Sequence, residues 1–231
     1  MHVILMGPQG SGKGTQSERV RARLNLGSIA TGELFRAAIK GGTALGREIQ
    51  AVYDRGELVP DDLTIALVEE RLDELGEERS QGARIDGALY DGFPRTIAQA
   101  DALSRALRAR GEDLTAVIAI DVPRKTLLER LAGRRVCATC GRVYNVFSDP
   151  PPVDGVCDVC GGPITQRADD TPDAVSKRLD LYELETAPLV DRYEKQGLVE
   201  RVDGNRPVDD VTESIVAAIR SRMAHPASRA R

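Results

Sequence analysis

His2-Val3-Ile4-Leu5-Met6 runs directly into Gly7-Pro8-Gln9-Gly10-Ser11-Gly12-Lys13-Gly14-Thr15, and the reading of these residues decides the fold. The first five read as a short buried strand. The glycines after them let the backbone turn its amides inward on a polyphosphate, and a helix expected over 18–24 adds its positive end. Lys13 supplies a point charge for the outer phosphates and Thr15 a hydroxyl for Mg²⁺. The strict pattern places Ser or Thr immediately after the lysine, and here Gly14 intervenes. A strand before the glycines and a helix after them distinguish a phosphate loop from a merely flexible turn.

Apolar runs go on alternating with helical patterns. Residues 84–90 form a second run, ending at Asp91. Residues 114–122 are the clearest buried strand, rich in β-branched side chains, 198–202 read as a last strand and 208–222 as a closing helix. Strands separated by helices predict an α/β fold, a parallel sheet flanked by helices. Two segments break the pattern. Residues 31–60 are helical but polar, with Gly41-Gly42 and Gly56 as interruptions. Residues 133–170 carry all four cysteines and no helical period. Both are expected as lobes inserted into a core made of 1–30, 61–132 and 171–231. Thr171-Pro172-Asp173 signals a long helix, with a capping hydroxyl, a proline in the first turn and an acid beside it. Val175, Leu179 and Tyr182 give its apolar stripe.

The chain has 231 residues, 41% apolar, 29% charged and only 3% aromatic, with a net charge of −4. This is a soluble globular composition with room for one sizeable core. It offers few aromatic platforms and no bulk positive charge, so neither a nucleic-acid nor a membrane partner is expected. The apolar stretch 3–6 is too short for a signal peptide, and no stretch approaches a membrane span. The cytoplasm is the default expectation, which makes disulfides unexpected. Cys137-x2-Cys140 and Cys157-x2-Cys160 have instead the spacing of a tetrahedral Zn²⁺ site, with Gly141 and Gly161-Gly162 supplying turns after each pair. Four protein ligands leave no open position, so the metal would be structural, a staple for a lobe too poor in apolar residues to build a core.

Five further stretches follow in order: Ala30-Thr31-Gly32-Glu33-Leu34-Phe35-Arg36; Gly56-Glu57-Leu58-Val59-Pro60; Asp91-Gly92-Phe93-Pro94-Arg95-Thr96 with Gln99; Arg130-Leu131-Ala132-Gly133-Arg134-Arg135; and Arg167-Ala168-Asp169-Asp170 with Arg178. With the phosphate loop, whose Lys-Gly-Thr ending is the form seen in these kinases, they make nearly the whole chain resemble the adenylate kinases of the zinc-lid type. The resemblance implies a P-loop kinase fold, with 31–60 as an AMP-binding lobe and 133–170 as a zinc-bearing lid. It implies reversible phosphoryl transfer from MgATP to AMP, giving two ADP, by a cytoplasmic monomer. Thr31, Arg36, the main chain of Glu57, Leu58 and Val59, Gly92, Phe93, Pro94, Arg95 and Gln99 would hold AMP, with Arg167 and Arg178. Gly10, Ser11, Gly12, Lys13, Gly14 and Thr15, with Arg130 and Arg134, would hold ATP. Val143, Tyr144 and Arg206 would flank its adenosine. Lys13, Arg95, Arg134, Arg167 and Arg178 would converge on the transferred group. Glu33 stands where aspartate is usual and Gln9 where proline is usual. Phe147 follows Tyr144 by three residues, where a phenylalanine four residues on is common.

The chemistry is coherent without the family. ATP and AMP bring about six negative charges into one cleft, and phosphoryl transfer needs alignment and charge stabilisation more than proton chemistry. Arginine grips phosphate oxygens in two places and keeps its proton. Asp91, ending a strand beside the phosphate loop, is placed to hold Mg²⁺ through water. A kinase for UMP and CMP, or one using GTP, is the nearest alternative, and Thr31 and Gln99 favour AMP, since Gln99 can pair with the adenine edge. A zinc-ribbon binding protein is the alternative of another class, and it leaves the arginines unexplained.

Overall fold

In Leu114–Asp121 the residues Ala116 to Ile120 are all buried, and this strand (β4) has a partner on either side. A computed structural model describes residues 1–42, 44–53, 59–166 and 170–224. Its main sheet is parallel, formed by β1 (His2–Met6), β2 (Leu26–Ala30), β3 (Gly87–Asp91), β4 and, last in the chain, the strand Val199–Asp203, in the order β2-β3-β1-β4 and then the last strand. Alternate residues of β1 face opposite ways, as strand geometry requires. Ile4 and Met6 join a cluster with Tyr90, Phe93, Val68, Leu72 and Leu189. Val3 and Leu5 join one with Val20, Leu24, Ile215 and Ile219. Helices therefore cover both faces. α1 (Lys13–Leu24) and the closing helix Val208–Ala224 lie on one face; α4 (Asp61–Ser80) and α5 (Ile97–Ala109) lie on the other. Each fully buried Ile, Leu or Phe contributes about 1.5–3 kcal/mol relative to exposure.

The strand β2 is not foreseen in the sequence. Gly27 and Ser28 interrupt its apolar pattern, yet it pairs with β3 from Leu26↔Gly87 to Ala30↔Asp91. The run over 84–90 becomes strand only from Gly87. His2 fits the buried end of β1 because its ring nitrogens meet the Tyr90 hydroxyl and the Glu112 carboxylate, both at 3.0 Å. Burial pushes its pKa down to about 4.

The polar helical segment forms α2 (Thr31–Lys40) and α3 (Ala44–Tyr53), which pack around Phe35, Ile49, Val59 and Leu67. After α6 (Arg124–Gly133), three short antiparallel strands build a separate sheet: β5 (Arg134–Cys137), β6 (Val143–Asn145) and β7 (Ile164–Thr165), in the order β6-β5-β7. Thr171 caps α7 (Pro172–Leu181) by accepting from the Ala174 amide at 3.4 Å. Val175 and Leu179 pack on Leu127 and Leu131 of α6. The helical run does not continue unbroken through Tyr182. Residues Tyr182–Thr186 widen into a π-turn before α8 (Ala187–Lys195), and β8 (Val199–Asp203) and α9 (Val208–Ala224) follow. No helix among the described residues is long and apolar enough to cross a membrane.

Candidate active site

The phosphate loop leaves β1 and enters α1 through Gly12, whose φ of 95° lies in the left-handed region that favours glycine. No side chain caps α1, so the first-turn amides stay available for an anion. The Ser11 hydroxyl is buried and has no hydrogen-bond partner among the described residues, the state expected of a group that waits for a ligand oxygen. Lys13 Nζ donates to the carbonyls of Gly7 at 2.7 Å and Pro8 at 2.9 Å. Burial pushes its pKa down to about 8, with Asp91 opposing the shift and the charges of Arg95 and Arg134 adding to it. One lysine, two arginines and a carboxylate from three separate motifs therefore sense one another in one place. Gly14 and Thr15 form the exposed first turn of α1, and the Asp91 carboxylate lies alongside Gly14.

On the other side of the loop, Arg134 grips Asp170 with both Nε, at 2.7 Å, and Nη2. Asp170 is fully buried, and Arg134 is 15% exposed. Gln9 joins this pair to Arg178: it donates to Asp170 at 3.4 Å and accepts from Arg178 at 3.3 Å. Arg130 donates to the carbonyls of Gly204, at 2.9 Å, and Gly10, at 3.5 Å. Arg206, at the turn before α9, meets Ser214 and Asp210.

The segment after β3 carries a second set of groups. The carbonyl of Gly92 accepts from buried Thr31 at 3.0 Å and from Arg95 Nε at 2.8 Å. Phe93 is buried in the core beside Tyr90, and Pro94 follows it. Thr96 caps α5. Gln99 is 3% exposed, and its carboxamide is held between the Arg95 amide and Asp61. Arg36 is exposed on α2, and Val59 is buried in the small lobe's own core with Phe35, Ile49 and Leu67. Glu57, Leu58 and Arg167 lie outside the described residues.

The four cysteine sulfurs lie within 4.8 Å of one another, the pairs 137–160 and 140–157 at 3.5 and 3.6 Å. A tetrahedral zinc with bonds of about 2.3 Å sets its sulfurs somewhat under 4 Å apart, so the donor set fits such an ion. The turns foreseen after each pair are present: Gly141 N bonds the Cys137 carbonyl and Gly161 N that of Cys157. The Tyr144 hydroxyl lies 3.1 Å from Cys157 Sγ and also meets Asp158, its single proton shared between the two, and the contact with the sulfur pulls the Cys157 thiol down to about 6. Tyr144 is thus buried in the cysteine cluster, so any contact it makes with a nucleotide comes from its main chain. Val143 and Phe147 are exposed. Sequence reasoning gave no role to Asp61, Gln9 or Asp170. An acid in the first turn of a helix, a polar residue in a loop and an acid in a motif carry no mark of their partners.

A phosphate loop on a parallel sheet, faced by arginines and a strand-end aspartate, defines a P-loop nucleotide kinase. The sequence profile of the adenylate kinase family matches residues 5–198. The chain is 49% identical to the adenylate kinase of Carboxydothermus hydrogenoformans and 50% to that of Moorella thermoacetica, covering 95% of this chain and 99% and 98% of theirs. It is 42% identical to the adenylate kinase of Staphylococcus epidermidis over 94% of this chain and 97% of that one. The chain belongs to the adenylate kinase family.

Proposed function

We propose that this chain transfers a phosphoryl group reversibly from MgATP to AMP, giving two ADP, by charge stabilisation around Lys13. The observation that carries the reading is the convergence on Lys13 of Asp91, Arg95 and Arg134. The phosphate loop, with Arg130 and Arg134, binds ATP; Val143, Tyr144 and Arg206 flank its adenosine. Thr31, Arg36, residues 57–59, Gly92 to Arg95 and Gln99 bind AMP. Arg167 and Arg178 join Lys13, Arg95 and Arg134 on the transferred group. The attacking AMP phosphate is already an anion, so no side chain need act as base. Asp91 holds Mg²⁺ through water. The cysteines hold a structural Zn²⁺, which supplies stability to the lid and takes no part in transfer. Residues 31–60 and 133–170 act as moving lobes, and closure of the second keeps water from the phosphoryl group. A reducing compartment such as the cytoplasm keeps the four thiols free for metal, and the protein works as a monomer. ADP supplied alone with Mg²⁺ should be converted to ATP and AMP in equal amounts, followed by chromatography of the nucleotides. Hydrolysis to AMP or phosphate without ATP would overturn the reading.

A further inference from the structure

The Gln99 carboxamide can make four hydrogen bonds, two through its oxygen and two through its nitrogen. One of each is already committed. Gln99 Oε1 accepts from the Arg95 main-chain amide at 2.7 Å, and Nε2 donates to Asp61 Oδ1 at 2.7 Å. Asp61 Oδ2 in turn accepts from the Thr96 hydroxyl at 2.7 Å, and that hydroxyl accepts from the main-chain N–H of Gln99 at 3.2 Å. Gln99 itself is 3% exposed. A main-chain N–H can only donate and a carboxylate can only accept, so the carboxamide has one permitted orientation. Rotating it by half a turn would set its oxygen against a carboxylate and its NH₂ against an N–H.

We infer that Asp61 is a positioning residue that makes Gln99 select an acceptor base bearing an exocyclic amino group over one bearing an oxo group. The inference rests on the reading that Gln99 meets the base. The free half of the carboxamide offers one lone pair and one N–H. Adenine presents an amino donor beside the ring acceptor N1, and hypoxanthine presents an oxo acceptor beside the donor N1–H. With the phosphate and sugar anchored, the two bases demand opposite orientations of the same carboxamide. A glutamine free to turn would serve both. Asp61 supplies the charged anchor against turning, and a charged anchor is the more costly one to oppose. The same logic ranks cytosine, with its amino group beside a ring acceptor, above uracil among the poor acceptors.

The test compares kcat/KM for AMP and IMP, with ATP as donor, in the wild type, Asp61→Asn, Asp61→Ala and Gln99→Leu. The wild type should prefer AMP by on the order of 100-fold or more, since a site built to pair one polar edge is left unpaired by the other. Asp61→Asn should cut that ratio about tenfold or more, chiefly through the acceptor KM, with the KM for ATP as the control. Loss of AMP and IMP activity by one common factor would make Asp61 merely structural and overturn the inference. So would an unchanged ratio in a folded Asp61→Asn protein. Asp61→Asn matches the wild type in size, so it carries the test even if Asp61→Ala fails to fold. Should turnover with IMP fall below detection, the dissociation constants of AMP and IMP by calorimetry give the same ratio. Gln99→Leu separates the two levels. If it keeps the wild-type ratio, Gln99 does not read the base and the underlying assignment fails. If it collapses the ratio while the Asp61 variants do not, only the role of Asp61 fails.

Discussion

Burial holds the Lys13 ammonium at a pKa of about 8, against an ordinary 10.5, so the folded state binds this proton less tightly than the unfolded chain. The protonated lysine therefore costs stability fully below about pH 8, and the cost disappears as pH rises toward 10.5. Its size is on the order of 3 kcal/mol at most, from 1.36 kcal/mol per unit. Lys13→Met should accordingly melt higher than the wild type at pH 7, the gap closing as pH rises through 8 toward 10, while turnover falls by orders of magnitude. Differential scanning calorimetry across pH, beside a coupled assay, checks both halves. A folded variant with near-normal turnover would remove Lys13 from the chemistry. The same residue was legible in the sequence, because a lysine at the end of a glycine loop after a strand has one common use. Its depressed pKa was not legible, since burial, the chief cause, is set by the packing around the loop, and Arg95 and Arg134 add to it from elsewhere in the chain.

Among the elements, β2 and the cysteine sheet respond to different forces. A Cβ on Gly27 would fall 2.4 and 2.7 Å from the methyl carbons of Leu75 on α4. Gly27→Ala should therefore destabilise by about 1–3 kcal/mol through overpacking. Combined with Leu75→Ala, it should cost less than the two single changes summed, as a urea-denaturation cycle would show. This contact also explains why β2 escaped sequence reading: its glycine is there to admit a helix, and a pattern of single residues does not show what lies across the sheet. The cysteine spacing, by contrast, foretold its cluster, because two knuckles with glycine turns encode their geometry locally. The Tyr144 hydroxyl adds to that cluster from a distance of 3.1 Å to Cys157 Sγ. Tyr144→Phe should weaken metal affinity about 10–100-fold in a competition with a chromophoric chelator. Replacing Cys157 and Cys160 together with serine should lower the melting temperature and open 137–160 to proteases, while measurable transfer persists at low temperature. Abolished transfer with a protease-resistant lid would make the metal catalytic instead.

At the scale of the whole molecule, the proposed ATP and AMP sites draw on different segments beyond the carboxyl ends of the parallel strands, and mutations should separate them. Arg36→Ala, on exposed α2, should raise the KM for AMP with less effect on ATP. Arg134→Ala should weaken ATP and slow transfer as well, a split readable from steady-state and single-turnover rates. Equal disturbance of both substrates by both variants would dissolve the division. The strand order has a consequence of another kind, set in time rather than space. β4 gains its outer neighbour only from Val199–Asp203, which pairs with Val117 to Asp121. During synthesis at about 5–20 residues per second, the ribosome takes roughly 4–16 s to pass from residue 121 to residue 199. Over that interval the apolar edge of β4 is bare, and a bare apolar edge recruits other strands. A nascent chain of this protein thus passes through a window of vulnerability that the finished enzyme never revisits, and slowing translation between those codons should raise the fraction that aggregates.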